Sequence, residues 1–235
     1  MSDMNLFRAE GEESRITCVC SDMAGTTVAD GNAVMDSFAV AAAEIGLVGP
    51  ELSRAMDYAL ATMGQSKIEV FRAMLGSEDR AQAANEAFEI AYLEIVRAGG
   101  VTPVSGAEEM MDWCRAQGIK VCLTTGFAPS TRDAIIATLG WEQRVDLLLS
   151  PSDAGRGRPY PDMILAAVLR LEIDSVRQVA VVGDTSSDLW AGYRSGARVV
   201  AGVLTGPQDR ADLMAAPHSH IWESVAELPA AISNL

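Results

Sequence analysis

The chain has 235 residues, 49% hydrophobic and 21% charged, the balance of a folded protein with room for one large α/β core or a core plus a small inserted domain. A formal net charge of −14 and a pI near 4.5 argue against nucleic acid and anionic membrane as partners, because phosphate backbones are met by basic faces. They leave open a small phosphorylated substrate, whose charge one metal and one or two cations can meet locally. No apolar run approaches the roughly 20 residues that span a bilayer, and no basic stretch followed by an apolar one opens the chain. A cytoplasmic location is therefore the expectation.

Met1 to Glu13 is polar and acidic and reads as disordered. Ile16-Thr17-Cys18-Val19-Cys20 predicts the first strand, ending at Ser21-Asp22. From Asn32 to Gly100 only helical patterns occur. Met35, Phe38, Ala42 and Ile45 share one helical face, Leu52, Met56 and Leu60 another, and Phe88, Ala91, Tyr92 and Ile95 a third. Gly99-Gly100 marks a boundary. Past Pro103, Met110, Met111 and Trp113 predict a further helix, and Lys120 to Leu123 a strand ending at Thr124-Thr125-Gly126. Val145 to Leu149, Val179 to Val182 (ending at Gly183-Asp184) and Ala197 to Leu204 predict three more strands. Wholly apolar strands alternating with helices belong to a parallel sheet covered on both faces. The expectation is an α/β fold: a Rossmann-like, doubly wound core of residues 14–31 and 101–235, interrupted by an α-helical insert of residues 32–100.

Three strand ends deliver Asp22, Thr124 and Asp184 to one edge of that sheet, where open parallel sheets bind ligands. Carboxylates gathered there repel unless a cation sits between them, and hard oxygen donors suit magnesium. Asp188, four residues after Asp184, is placed to act as a further ligand or to hold a metal-bound water. Cys18, Cys20, Cys114 and Cys122 fit neither a zinc nor a redox spacing and read as small buried hydrophobes. His218 and His220 follow Pro217 in what reads as a surface loop before a last strand and helix. Met35, Met56, Met63 and Met74 read mostly as packing, with Met63 near the site.

The motifs Asp22-Met23-Ala24-Gly25-Thr26-Thr27, Thr124-Thr125-Gly126, Gly157-Arg158-Pro159-Tyr160-Pro161 and Gly183-Asp184-Thr185-Ser186-Ser187-Asp188, in this order, resemble those of the haloacid dehalogenase superfamily. Within it they look like the phosphonoacetaldehyde hydrolase (phosphonatase) branch. The resemblance implies a magnesium-dependent hydrolase with Asp22 as nucleophile and Asp22, the Ala24 carbonyl and Asp184 as metal ligands. It further implies phosphoryl contacts from Thr124 or Thr125, charge neutralisation by Arg158, and substrate-side positions at Thr26, Met63, Gly64 and Gly126. A homodimer through the cap is also implied.

Most phosphatases of this superfamily resemble Asp-x-Asp, the second carboxyl protonating the leaving alkoxide. Here Ala24 stands at that position and cannot donate a proton, a deficit of roughly 10²–10⁴ in rate for a poor leaving group. Met63-Gly64-Gln65-Ser66-Lys67 resembles the phosphonatase segment that carries a Schiff-base lysine. A protonated imine at Lys67 would accept the electrons of a breaking C–P bond, so no acid at position 24 is needed. Ser66-Lys67-Ile68-Glu69 also reads as a capping box, placing Lys67 in the first helical turn. The helix dipole there lowers its pKa by under one unit, leaving burial to do the rest.

Val70, Asn32 and Phe127 depart from the resemblance, which expects a histidine, a cysteine and a tyrosine at these positions. The substrate expected is phosphonoacetaldehyde or a related carbonyl phosphonate. The rival readings are a phosphate monoester phosphatase that keeps Lys67 for binding only, and a non-catalytic ligand- or partner-binding relative.

Overall fold

A computed structural model describes residues 15–233 and 235. The acidic segment 1–13 lies outside them. The chain enters the core on β1 (Cys18–Asp22) and then forms β2 (Val28–Ala29). Four helices follow: α1 (Ala33–Glu44), α2 (Pro50–Ala61), α3 (Lys67–Leu75) and α4 (Glu78–Arg97). The return runs through β3 (Thr102–Pro103), α5 (Ala107–Ala116), β4 (Lys120–Thr124), α6 (Pro129–Leu139), β5 (Leu147–Leu149), α7 (Pro151–Ala154) and α8 (Asp162–Arg170). It continues through β6 (Val179–Gly183), α9 (Ser186–Ser195), β7 (Val199–Val203), α10 (Arg210–Met214), β8 (His220–Trp222) and α11 (Leu228–Ile232).

The main sheet has the order β5-β4-β1-β6-β7-β8, and every neighbouring pair is parallel. β1, β6 and β7 are buried along their whole length, which explains the apolar sequence of β6 and β7 and of β1 as far as Cys20. β1 lies between β4 and β6, so the strand order runs outward from it in both directions. The crevice of such a fold opens at the carboxyl ends of these three strands, where Asp22, Thr124 and Gly183 fall. The expected doubly wound core is present. Its strands are trimmed by a residue or two: Ile16 and Thr17 precede β1, and β5 covers only the last three positions of Val145 to Leu149.

The helical segment is tied down by a feature without sequence signal. β2 leaves the core and β3 returns to it, and the two pair antiparallel (Val28 with Pro103, Ala29 with Thr102). Beyond them α1 and α4 pack along each other, with α3 against α4. Their shared core is aromatic: Phe38 lies 5.0 Å from Phe71 and 4.8 Å from Phe88 between ring centroids. α2 differs from the periodicity reading. It buries Ala55 and Ala59, while Leu60 from the expected apolar stripe is half exposed. Small residues let α2 lie close, and Leu60 reaches the functional cleft instead.

All four cysteines are free and buried, as their apolar settings predict, with Cys18 and Cys20 side by side on β1 and their sulfurs 4.0 Å apart. Each of the two C-terminal histidines has a hydrogen-bond partner at Nδ1. The Nδ1 atom of His218 is 2.8 Å from the Ala216 carbonyl and that of His220 is 2.8 Å from the Ser219 hydroxyl. His220 is the first residue of β8 rather than part of the preceding loop.

Candidate active site

Three buried carboxylates meet at the crevice. Asp22 is the last residue of β1, Asp184 follows β6, and Asp188 lies in the first turn of α9; one oxygen of each falls within 4.8 Å of the others. The loop after β6 is fixed by a capping box, in which Thr185 caps α9 and Asp188 returns a bond to the Thr185 backbone N–H (3.2 Å). Among the described residues, Arg158 is the one cation in contact. Its Nη1 donates to Asp22 Oδ1 at 2.6 Å and also to Asp188 Oδ1. Both oxygens of Asp188 are thus engaged, so it braces the cluster as well as adding charge.

Three carboxylates against one guanidinium leave the site short of positive charge, and the titration behaviour reflects it. Burial pushes the Asp22 carboxyl up to about 6, against the opposing pull of Arg158 and with added repulsion from Asp188. Asp184 is held well above the ordinary carboxylate range by burial and then by the charges of Asp22 and Asp188. A hard divalent cation fits this donor set, because added positive charge would draw the raised Asp22 and Asp184 carboxyls back toward the ionised form.

Backbone shape is matched to Asp184. A Cβ placed on Gly206, in the loop after β7, would lie 1.9 Å from Asp184 Oδ2. That atom cannot yield without displacing the carboxylate. Gly206→Ala is accordingly expected to weaken divalent-metal affinity roughly 10–100-fold, as disturbance of a ligand's support does. The check is the metal concentration that gives half-maximal thermal stabilisation. A midpoint equal to wild type would mean that Asp184 is not a ligand.

Beside the carboxylates opens a cleft of about 480 Å³, lined by Asp22, Ala24, Asp184 and Arg158 on one side and by Met63, Gly64 and Lys67 on the other. The helical segment closes directly onto the core. Gly64, at φ +82°, sits where a Cβ would fall 2.2 Å from Thr185 Oγ1, and the Ser187 hydroxyl donates to the Met63 carbonyl at 3.3 Å. The Lys67 backbone N–H donates to the Gly126 carbonyl at 3.4 Å.

Lys67 begins α3 as expected, but the capping box is not made. Ser66 occupies the N-cap with no side-chain bond, and Glu69 turns to Arg72 (2.5 Å), which also binds Glu78. Ser66 is instead pressed against Gly157, the Ser66 Cβ lying 2.9 Å from where a Gly157 Cβ would be. Lys67 is 6% exposed, and its Nζ lies 5.7, 5.8 and 5.5 Å from the ring centroids of Phe38, Phe88 and Phe127. It makes no hydrogen bond or ion pair among the described residues. Burial draws its pKa down to about 8, helped by the Arg158 charge and opposed by Asp22, Glu89 and Asp30.

Two expected contacts shift. Thr26 is fully buried and donates to Asp184 Oδ1 at 3.0 Å, so it supports a carboxylate rather than facing the cleft. Of the two threonines, Thr125 lines the cleft, whereas Thr124 lies beside Arg158 and Asp188 in a small hollow behind it. The chain pattern did not single out Asp30, Glu89, Tyr92 or Gly206. Glu89 and Tyr92 were detectable as polar atoms on the buried face of α4, since a lone carboxylate in such a face needs partners. Glu89 finds them in α6, accepting from the Ala128 N–H (3.0 Å) and the Thr131 hydroxyl.

The sequence profile of the haloacid dehalogenase-like hydrolase family matches residues 16–196. Among characterised relatives, the phosphonoacetaldehyde hydrolase of Bacillus cytotoxicus is 35% identical over 111 residues, 46% of this chain and 41% of that protein. The phosphonoacetaldehyde hydrolase of Parabacteroides distasonis is 32% identical over 160 residues, 57% of this chain and 60% of that one. The matches thus span about half the length of these relatives. A crystal structure of a phosphonoacetaldehyde hydrolase-like protein from Oleispira antarctica superposes with a TM-score of 0.81 at 26% identity, covering 100% of this chain and 96% of the other. A predicted phosphoglycolate phosphatase from Haemophilus somnus superposes at 0.76 with 16% identity, over 92% of this chain and 97% of that one, a likeness of fold. With the family profile covering most of its length and the carboxylate cluster at the expected sheet edge, the chain belongs to the haloacid dehalogenase-like hydrolases.

Proposed function

We propose that the chain hydrolyses the carbon–phosphorus bond of a small carbonyl phosphonate, phosphonoacetaldehyde or a close analogue, with Asp22 as nucleophile and Lys67 as imine-forming amine. The observation that carries this reading is that Lys67 and Asp22 line one cleft, the amine buried and without a hydrogen-bond partner. A lysine held near a pKa of 8 has a useful neutral fraction at physiological pH, as carbonyl addition requires. Residues 32–100 act as a cap over a core of 14–31 and 101–235, excluding water from the imine.

Asp22, the Ala24 carbonyl and Asp184 would hold magnesium, with Asp188 beside them. The ion would supply positive charge to offset the repulsion between the carboxylates and an anionic phosphoryl group. Arg158 keeps Asp22 oriented and adds charge for the transferred phosphoryl oxygens, and Thr125 and Gly126 line the phosphoryl side of the cleft. Met63 and Gly64 wall the carbonyl side. In the reaction, the Lys67 amine condenses with the carbonyl, Asp22 attacks phosphorus, and the C–P electrons pass into the iminium to give an enamine. Water then releases phosphate from Asp22, and protonation of the enamine carbon followed by hydrolysis of the resulting imine releases the aldehyde and restores the Lys67 amine. Ala24 is consistent with this route, because an enamine leaving group needs no acid there.

The test is borohydride trapping with phosphonoacetaldehyde and magnesium, read by peptide mass. One substrate-derived adduct on Lys67 is expected, and phosphate release should be lost in Lys67→Arg. Phosphate release from sugar or nucleotide monoesters that survives Lys67→Ala, without any adduct, would replace this reading with that of a monoester phosphatase.

A further inference from the structure

One titratable group in the cleft has no part in the reaction as written above. Asp30 lies between β2 and α1, eight residues beyond Asp22, and lines the same cleft as Asp22 and Lys67. Its Oδ2 accepts a 2.6 Å hydrogen bond from the Tyr92 hydroxyl of α4. Tyr92 is fully buried, and its ring lies 4.4 Å from that of Phe127, one of the three rings around the Lys67 ammonium. The carboxyl of Asp30 is therefore anchored at the wall of the aromatic box that holds the amine, and the two groups feel each other's charge.

Among the described residues the cleft holds no other unassigned acid–base group. Among its lining residues Asp22, Asp184, Arg158 and Lys67 already have roles, and no histidine is among them. Glu89, the other carboxylate near Lys67, spends both oxygens on Ala128 and Thr131. Val70, one turn beyond Lys67 on α3, is apolar and buried. Imine chemistry cannot proceed at speed without a proton donor for the departing hydroxyl.

We propose that Asp30, held in place by Tyr92, is the acid–base group that moves protons for carbonyl chemistry at Lys67. This rests on the imine reading above. The neutral Lys67 nitrogen forms a bond to the carbonyl carbon, the C=O π electrons go to oxygen, and the nitrogen's proton passes to that oxygen, giving a carbinolamine. Asp30 in its acid form then protonates the hydroxyl. The C–O bond breaks, water leaves, and the nitrogen lone pair closes the C=N bond, leaving a protonated imine and an Asp30 carboxylate. The carboxylate accepts a proton back from the water that later hydrolyses the product imine. Burial raises the Asp30 pKa above the ordinary carboxylate value, against the Tyr92 bond and the Lys67 charge, which favours the acid form the step needs.

The experiment measures the rate of single-turnover borohydride trapping of phosphonoacetaldehyde on Lys67 at pH 7. Wild type, Asp30→Ala, Asp30→Asn and Tyr92→Phe are compared with and without added acetate. Asp30→Ala and Asp30→Asn are expected to slow trapping by about 10²–10⁴-fold, Tyr92→Phe by less, and acetate to restore part of the rate in Asp30→Ala alone. Asp30→Asn keeps an acceptor for Tyr92 and serves if the alanine variant fails to fold. A wild-type trapping rate in either Asp30 variant, or a slow rate that acetate leaves unmoved in a folded Asp30→Ala, overturns the proposal while the imine stands. A wild type that traps nothing overturns both.

Discussion

Lys67→Met is expected to abolish phosphonate turnover and at the same time to make the protein more stable. The first effect follows, on the proposed route, from removal of the amine whose imine would accept the C–P electrons; a loss of at least about 10³-fold in phosphate release is expected. The second follows from burial. Lys67 titrates near 8 in the fold against an ordinary value of 10.5, a difference of 2.5 units. At 1.36 kcal/mol per unit the protonated amine destabilises the folded chain by about 3 kcal/mol. The sign can be followed with pH. Below pH 8 both folded and unfolded states hold the proton and the full penalty applies. Between 8 and 10.5 the folded state sheds it and the penalty fades, and above 10.5 none remains. The stability advantage of Lys67→Met should therefore be complete at pH 7 and gone near pH 11, measured by denaturant melts. The aromatic box moderates the effect, since three rings within 6 Å favour an ammonium. A destabilised Lys67→Met at pH 7 would show that the amine is satisfied where it lies.

Asp22→Asn should have the second large effect. Loss of the proposed nucleophile is expected to reduce phosphate release from any substrate by roughly 10³–10⁶-fold, irrespective of which bond to phosphorus is broken. The structural signature differs in sign from an ordinary loss of a salt bridge. Asp22 rises from 3.8 to about 6 in the fold, so the folded state holds the proton more tightly than the unfolded chain. Stability contributed by this group is full below pH 3.8 and is lost as pH rises through 6. In the presence of a chelator, Asp22→Asn should thus melt higher than wild type at pH 8, by about 1–3 kcal/mol, and no differently at pH 3.5. A lower melting point at pH 8 would mean that the Arg158 pair outweighs the repulsion within the cluster.

Much of the fold was legible in the sequence for a physical reason. β6 and β7 are buried along their whole length, as are Cys18 to Cys20 of β1 and Val121 to Leu123 of β4, so these runs are apolar, and in β1 and β6 the polar residue at the strand end is or adjoins a site carboxylate. Lys67 stood out through its neighbours Met63 and Gly64 and the missing acid at position 24. What escaped was what depends on long-range juxtaposition. The β2–β3 ribbon is two residues long on each side and carries Pro103, so it has no periodic signature. Asp30 and Tyr92 are 62 residues apart, and neither signals the other. The capping box failed because Ser66 is wedged against Gly157 while Glu69 has a better partner in Arg72; local propensity yielded to packing between the helical segment and the core.

The paired thiols of Cys18 and Cys20 have a practical consequence. They sit within the strand that ends in Asp22, and with Cys122 on the adjoining strand they are essentially solvent-free. Burial also raises the Cys114 thiol to about 12, and Cys18 and Cys20 are held well above the ordinary thiol range, so none of these three offers a thiolate to a reagent while the fold is intact, and Cys122 is shut off by its burial. A reagent that inactivates the protein by alkylating one of these thiols must therefore wait for the sheet to come apart. The rate of such inactivation is a stopwatch for opening of the core, and it reports nothing about the chemistry of the cleft.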